Sequence, residues 1–200
     1  VDPRVRIVEL PLVRKDLETD IRKYSEKRAL KPATWAREER ERQLRFFPEP
    51  VFGGWRARLE QGVLDVHRAR PANLLLVSRA PYVSRAAALR LWSEHKVPYA
   101  VDYRDGWSVD VIGGGEAFTR DSRAGRWEDN ALREATSIWV VNDPIAEFYR
   151  ERYPHLAGRV EVERLALERP RPALTMDVRG GFNYEKLGGS ARAGAKAPPA

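Results

Sequence analysis

Short apolar runs alternate along this chain with stretches whose pattern is helical. The apolar runs at 73–78, 99–103 and 137–142 are typical of buried strands, and a last strand begins at 159–163. The helical stretches lie at 33–45, 55–70, 83–95, 127–135 and 143–153. An alternation of strand, helix and strand requires crossover connections and therefore a parallel sheet. The predicted fold class is α/β, with a Rossmann-like parallel sheet flanked by helices.

The two ends of the chain depart from this alternation. Residues 5–9 have the pattern of a first strand, and residues 12–30 are polar and predict a loop with about one helical turn. Nine of the 37 residues after Glu163 are Gly or Pro, and this composition cannot bury an apolar core. We therefore predict a Rossmann-like domain over 1–163 and an irregular, disordered basic tail over 164–200.

Charge and composition narrow the function classes. The net charge is +7, and the tail over 164–200 contributes +4 of it, from seven basic and three acidic residues. Basic charge concentrated in a tail argues against a sequence-reading nucleic-acid module, whereas weak attraction to anionic lipid at a membrane surface stays open. The absence of cysteine excludes disulfides and thiolate metal sites. The first residues lack the pattern of a secretory signal, so we expect a cytoplasmic location, with the inner membrane face left open.

The stretch 98–107, PYAVDYRDGW, is the strongest candidate for chemistry. It predicts a short buried strand that ends in the charged residues Asp102, Arg104 and Asp105. Ligands of open α/β sheets bind beyond the carboxyl ends of the strands, so charged side chains at this place can take part in binding or catalysis. The alternative is an Asp–Arg pair that only holds a loop.

A second candidate is the turn 78–81, which precedes a helix that begins at Val83. The free N–H groups and the positive dipole of a helix N-terminus favour a phosphate or a sugar hydroxyl there. The alternative is that Ser78 and Ser84 only cap the helix. The glycines at 113–115 lie in a loop that can act as a lid, but no Lys-Ser/Thr pair follows them, which excludes a P-loop.

Five segments, in order, resemble the N-terminal half of family 4 retaining glycosyltransferases of the GT-B fold. These segments are 78–81 (SRAP), 97–107 (VPYAVDYRDGW), 126–128 (RWE), 138–145 (IWVVNDPI) and 149–154 (YRERYP). The resemblance implies two facing Rossmann-like domains, of which the first holds the acceptor and the second holds the nucleotide-sugar. It implies transfer of a sugar, with retention, to a glycan, lipid or small-molecule acceptor, as in cell-envelope polysaccharide synthesis. No metal and no cofactor besides the nucleotide-sugar donor are implied.

The resemblance also assigns roles to single residues. Arg104 and Asp105 become the catalytic candidates, the first as a cation for the departing diphosphate and the second as a group that orients an acceptor hydroxyl. Tyr82 and Trp107 are expected to stack on a sugar or lipid portion. The substrate-binding candidates are Ser78, Arg79, Tyr82, Asp102, Trp107 and Asn142. Many relatives carry histidine where this chain has Arg104, and simple pairing and packing are the alternative roles.

Two departures from the family pattern concern the ends of the chain. The glycine-rich first turn of such a domain is missing and the chain does not begin with methionine, so we expect that its first elements are absent. Where relatives continue through an Asn-Gly linker into the donor domain, this chain continues through 162–167 into the basic tail. We therefore expect a truncated or frame-interrupted gene product that lacks the nucleotide-sugar half and is not active alone.

Two other function classes compete with the glycosyltransferase prediction. One is a non-catalytic Rossmann-like binding or interaction domain that a partner chain completes. The other is a basic nucleic-acid binder, whose binding of polyanions would depend on the tail over 164–200.

Overall fold

The computed structural model describes residues 5–78, 80–110 and 113–163 of the chain. This part is α/β, with a four-stranded, all-parallel sheet flanked by helices, which confirms the coarse fold class predicted from the sequence. In chain order the elements are α1 (Glu26–Leu30), α2 (Pro32–Phe46), α3 (Arg56–Ala69), β1 (Leu75–Ser78), α4 (Ser84–His95), β2 (Tyr99–Tyr103), α5 (Arg123–Arg133), β3 (Ser137–Val140), α6 (Asp143–Arg152) and β4 (Val160–Val162). Short 3-10 helices lie at Lys15–Leu17, Ile21–Lys23, Gly53–Trp55 and Pro154–Arg159.

The strands lie in the sheet in the order in which they occur along the chain, β1-β2-β3-β4. Each neighbouring pair is parallel, and α4, α5 and α6 make the three crossovers between them. The register places Ser78 beside Asp102 and Tyr103 beside Val140. The carboxyl ends of the strands therefore lie along one edge of the sheet, where the sequence predicted the chemistry.

The core is formed by the two central strands, β2 and β3, and by the side chains that pack against them. Tyr99, Val101 and Tyr103 of β2 and Ile138 and Val140 of β3 are all fully buried. Helix α2, which covers the helical stretch predicted at 33–45, is mostly exposed along its length. The residue after α2, Phe47, is fully buried in the core and so anchors the end of that helix.

Strand β1 differs from the prediction that the run 73–78 is buried on both faces. Val77 is buried, but Leu76 is 50% exposed and Leu74, just before the strand, is 58% exposed. The reason is position, because β1 is an edge strand that pairs only with β2 among the described strands. An alternation of buried and exposed residues is what a strand with one covered face shows.

The strand predicted at 5–9 is wrong. Residues 5–14 have no regular secondary structure, and Val5 and Ile7 are 57% and 62% exposed. The sheet of the described residues consists of β1 to β4, and none of these strands pairs with this segment. The segment packs by Leu10 instead, whose side chain lies so close to Gly62 of α3 that a Cβ there would be 2.6 Å from it.

The predicted tail over 164–200 lies outside the described residues, and every element described above belongs to the unit Val1–Glu163. Within the described part, no helix combines the length and the apolar composition that a membrane crossing requires.

Candidate functional site

Three polar side chains from two neighbouring strands meet at the carboxyl edge of the sheet. Ser78 ends β1, and its hydroxyl donates to Oδ2 of Asp102 in β2 at 2.6 Å. The Nε atom of Arg104 donates to the same carboxylate oxygen at 3.1 Å. Parallel pairing of β1 with β2 is what places these residues side by side. The structure thus brings together Ser78, Asp102 and Arg104 from the set of predicted site residues.

A fourth residue, Glu163, extends this group and was not predicted. Its backbone N–H donates to the carbonyl oxygen of Val140 at 2.7 Å, and its Oε2 lies 3.0 Å from Nη2 of Arg104. Glu163 directly follows β4, just as Arg104 directly follows β2. A carboxylate immediately after a predicted strand was therefore the available signal. We call Ser78, Asp102, Arg104 and Glu163 the edge row.

The edge row has one more carboxylate than it has cations. Its two carboxylates and one guanidinium give a formal charge of −1. The side chain of Asp102 is only 5% exposed, whereas those of Arg104 and Glu163 are each 29% exposed. Within the described residues, Oδ1 of Asp102 is buried and has no hydrogen-bond donor. Oδ1 of Asp102 is therefore out of reach of solvent, and the partly exposed carboxylate of Glu163 is the group of the row that can accept a hydrogen bond from an outside hydroxyl.

Two further predicted residues, Asp105 and Tyr82, lie near the edge row. Asp105 follows Arg104 along the chain, and Tyr82 contacts Asp105. Asp105 is exposed in the loop after β2, and the hydroxyl of Tyr82 donates to its carbonyl oxygen at 3.2 Å. Burial raises the pKa of the Tyr82 hydroxyl, so it remains a neutral donor at physiological pH. This bond ties the loop that carries Asp105 to the start of α4. Arg79, another predicted residue, lies outside the described residues.

Trp107 lies in an aromatic stack and has little free surface. Its ring stacks on Phe47 and on Tyr82, with ring centroids 5.3 Å and 5.2 Å away, and it meets Phe118 edge-on at 5.4 Å. Trp107 is 8% exposed, whereas Tyr82 is half-buried. Of the two residues expected to stack on substrate, Tyr82 thus has more surface to offer, and Trp107 mainly packs the protein.

Asn142 is engaged with its own helix. It follows β3 on the same edge of the sheet, and its Oδ1 accepts a hydrogen bond from the N–H of Ile145 at 3.0 Å. Asn142 holds the N-cap position of this helix, and Asp143 is the first helical residue. The side chain of Asn142 therefore serves as a cap.

The N-terminus of α4, expected to hold a phosphate or a sugar hydroxyl, already carries a carboxylate of the protein. Glu49 accepts hydrogen bonds from the N–H groups of Tyr82 at 3.1 Å and Val83 at 2.8 Å. It is 7% exposed, and burial raises the pKa of its carboxyl. Neither Ser78 nor Ser84 caps the helix, since Ser78 donates to Asp102 and Ser84 donates to a carbonyl oxygen. An external anion would have to displace Glu49.

A buried carboxylate that was not predicted supports the site from the core. Glu128 of α5 is fully buried and accepts hydrogen bonds from the hydroxyls of Tyr103 (3.2 Å), Tyr149 (2.9 Å) and Tyr153 (2.8 Å). Nε of Arg152 lies 3.6 Å from Oε2 of Glu128. Burial raises the pKa of the Glu128 carboxyl in spite of these donors. We call these five residues the tyrosine–glutamate network.

The tyrosine–glutamate network reaches the loop of the candidate site through the hydroxyl of Tyr149. Its oxygen accepts hydrogen bonds from the N–H of Trp107 at 3.0 Å and from the hydroxyl of Ser108 at 3.4 Å. A signal for the network existed in the sequence, because Glu128 precedes Ala131 and Leu132 by three and four residues and so lies on the apolar face of its helix. A carboxylate at such a position needs buried donors, and the tyrosines supply them.

No family model, no curated protein and no solved structure matches this chain. Among the described residues, no group of three or more His, Asp or Glu side chains is placed to hold a metal ion. The assignment to the glycosyltransferase family therefore stays a prediction that rests on the five segments and on the edge row.

Proposed function

We propose that this chain is the acceptor-side half of a retaining glycosyltransferase of the GT-B fold, which acts together with a separate nucleotide-sugar domain. The observation that carries the proposal is the edge row, in which side chains at the ends of β1, β2 and β4 meet at the carboxyl edge of a parallel sheet. This edge is where open α/β sheets bind ligands. A cytoplasmic location at or near the inner membrane face belongs to the same proposal.

The edge row suits a polyhydroxylated acceptor. Asp105 is exposed in the loop after β2, and the carboxylate of Glu163 is partly exposed. Carboxylates accept hydrogen bonds from sugar hydroxyls and can fix the hydroxyl that attacks the anomeric carbon of the donor. The ring of Tyr82 is stacked on Trp107 and lies under the guanidinium of Arg85, so only its partly exposed edge can contact the sugar.

The role of Arg104 in this proposal requires a rearrangement. Its guanidinium is held by Asp102 and Glu163, at 3.1 Å and 3.0 Å, so its charge is already compensated. To stabilise a departing diphosphate, Arg104 has to leave one of these carboxylates. Glu163 is the partner that it can leave at lower cost, since both side chains of that pair are partly exposed.

Binding of saccharides to the isolated chain is the first test. We expect a panel of mono- and oligosaccharides, added to isotope-labelled protein, to shift the amide signals of the edge row and of 104–106 in nuclear magnetic resonance spectra. The variant Asp105→Ala should weaken this binding about tenfold. The matched control is Asp65→Ala, because Asp65 is an exposed carboxylate of α3 whose partners Gln61 and Arg68 lie on the same helix. If no saccharide shifts these signals at millimolar concentration, the acceptor-side proposal is wrong.

Catalysis is tested separately, with the chain mixed with a separately expressed donor domain, nucleotide-sugars and lipid or glycan acceptors. Transfer is expected only when both proteins are present, and Asp105→Ala should reduce it while Asp65→Ala does not. Transfer that does not depend on the added chain would contradict the proposal.

A non-catalytic binding domain is the second candidate, and a specific observation favours it. The cation of the edge row is compensated by two carboxylates, and Trp107 is packed in the aromatic stack. These contacts are those of a structural support. Saccharide binding without transfer in the mixed assay would select this candidate.

A further inference from the structure

The structure contains a cavity that none of the edge row residues lines. It has a volume of about 600 Å³ and is bounded by the N-terminal segment, the end of α2 and the start of α3. Three basic side chains line it, namely Lys15, Arg42 and Arg58. None of the described residues that line it is Asp or Glu. We call this space the basic cavity.

The three basic side chains share one neighbouring carboxylate, Glu39, so their charge is only partly compensated. Arg42 is ion-paired with Glu39, whose Oε2 accepts from Nε of Arg42 at 2.9 Å. This hydrogen bond lowers the pKa of Glu39, and the charge of the exposed Lys15 also lowers it. Arg58 donates from Nη1 to the carbonyl oxygen of Pro11 at 2.8 Å, and a neutral acceptor does not compensate the guanidinium charge. The cavity therefore has a positive potential that a multiply charged anion can satisfy.

The remaining wall of the basic cavity is apolar. Val13, Val51 and the partly exposed ring of Trp55 line it together with the basic groups. Val13 is 70% exposed, which is unusual for a side chain of this kind and leaves apolar surface uncovered. The volume is within the range of about 300–1,000 Å³ that small-molecule sites have. A ligand with one charged end and one apolar end fits this wall.

We propose that the basic cavity binds a phosphorylated small molecule whose body is aromatic or apolar. The phosphate, which carries up to two negative charges, lies between Lys15 and Arg58, since guanidinium and ammonium groups bind phosphate through charge-assisted hydrogen bonds. The body packs on Trp55. The inference does not depend on the glycosyltransferase proposal, because none of the edge row residues lines this cavity.

The test uses the full chain and 1-naphthyl phosphate as the probe. Binding is followed through the indole N–H signals of the tryptophans in nuclear magnetic resonance spectra. We expect the probe to shift the signal of Trp55 and to leave that of Trp92 unchanged, since the indole of Trp92 donates to Glu134 outside the cavity. Inorganic phosphate lacks the apolar body and 1-naphthol lacks the phosphate, so each should bind more weakly than the probe. 1-Naphthoate, with a single charge, should also bind more weakly, by about fivefold.

Variants separate a site from general attraction to a basic protein. Arg58→Gln and Lys15→Gln should each weaken binding about fivefold. The matched control is Arg68→Gln, which removes the same charge from the same helix but at an exposed position paired with Asp65. Arg58 also donates to the carbonyl oxygen of Pro11, so Arg58→Gln can disturb the N-terminal segment as well as remove a charge. Lys15→Gln tests the charge without breaking this bond, and Arg58→Lys keeps the charge at the same position.

We expect binding of the probe to weaken about fivefold in Arg58→Gln and in Lys15→Gln and to weaken less in Arg58→Lys. Binding by Arg68→Gln should equal that of the natural protein. The proposal is overturned if the probe leaves the Trp55 signal in place at millimolar concentration. It is equally overturned if Arg68→Gln weakens binding as much as Arg58→Gln, or if 1-naphthoate binds as tightly as the phosphate.

Discussion

Single buried carboxylates organise the surroundings of the candidate site. Glu49 satisfies two N–H groups at the start of α4, and Glu128 holds three tyrosine hydroxyls. Burial raises the pKa of both carboxyls, because the charged form loses its hydration. Both groups are therefore easier to bury when they are protonated, which makes the stability of the fold depend on pH.

The variant Glu128→Gln is predicted to change this pH dependence. A carboxyl whose pKa is higher in the folded state binds more protons there, so stability falls as the pH rises from the unfolded value of about 4.3 through the raised value. The amide in Glu128→Gln does not titrate, and its oxygen still accepts from the tyrosines. The stability of the variant relative to the natural protein should therefore increase as the pH rises, as measured by urea unfolding between about pH 4 and 8.

The control for this prediction is Glu147→Gln, which makes the same change at an exposed position of α6. Glu49 titrates in all three proteins and cancels from the comparison. Parallel pH profiles for Glu128→Gln and the natural protein would show that Glu128 is not the group responsible.

The sequence indicated functional candidates at the ends of strands, but it did not indicate carboxylates whose partners are far away along the chain. Asp102 and Arg104 were predicted because they end a recognisable strand, and Glu163 could have been predicted by the same rule. Glu49 could not, because it lies between two prolines that only mark the end of a helix, and its partner Tyr82 is 33 residues away. Contacts of that kind are set by how helices pack and leave no local pattern.

Individual helices and turns depend on a few identifiable contacts. For α6 that contact is the cap from Asn142 to the N–H of Ile145. We predict that Asn142→Ala lowers the free energy of unfolding by about 1 kcal/mol, whereas Asn142→Asp, which keeps an acceptor, has little effect. Asn130→Ala, at an exposed position inside α5, is the matched control. Equal stability of Asn142→Ala and the natural protein in chemical denaturation would rule out the capping role.

The turn between α2 and α3 depends on Gly53. A Cβ at this position would lie 2.2 Å from the carbonyl oxygen of Gln43 and 2.7 Å from that of Phe47, and backbone atoms cannot move aside as side chains do. Gly53→Ala should therefore cost about 1–3 kcal/mol of unfolding free energy. Gly158→Ala, where a Cβ meets nothing within 4 Å, should stay within about 0.5 kcal/mol of the natural protein. Thermal unfolding of both variants checks this, and similar midpoints would contradict it.

The predictions that were wrong concern the strand at 5–9 and the burial of β1, and both depend on whether a neighbouring strand is present. The apolar runs at 99–103 and 137–142 gave strands, because each lies between two neighbours in the sheet. The run at 5–9 has a similar composition and gave none, and β1 is exposed where the sequence predicted full burial. Local pattern predicts that a strand can form, whereas its place in the sheet is decided by long-range pairing.

For the sheet as a whole, the parallel direction of the strands explains why the edge row could be expected. A parallel sheet with helical connections forces every strand to end at the same edge, so polar residues at strand ends have to meet there. Which of them touch depends on the register, and this selected Ser78, Asp102 and Arg104 but engaged Asn142 and Trp107 elsewhere. The position of the candidate site was thus predictable, whereas the residues that meet there were predicted only in part, since Glu163 was not among them.

The basic tail provides the last prediction. Residues 169–200 contain six basic and two acidic residues, so their removal takes away +4 of the net charge of +7. Every described element belongs to Val1–Glu163, so a chain that ends after Glu168 should unfold at nearly the same temperature. It should elute from a heparin column at lower salt, because attraction to polyanions scales with the number of cations that contact them. A full-length variant with those six residues changed to Gln should elute with the truncated chain, since charge and not length sets the affinity. Unchanged elution of the truncated chain would place polyanion binding in the folded domain and would favour the nucleic-acid alternative.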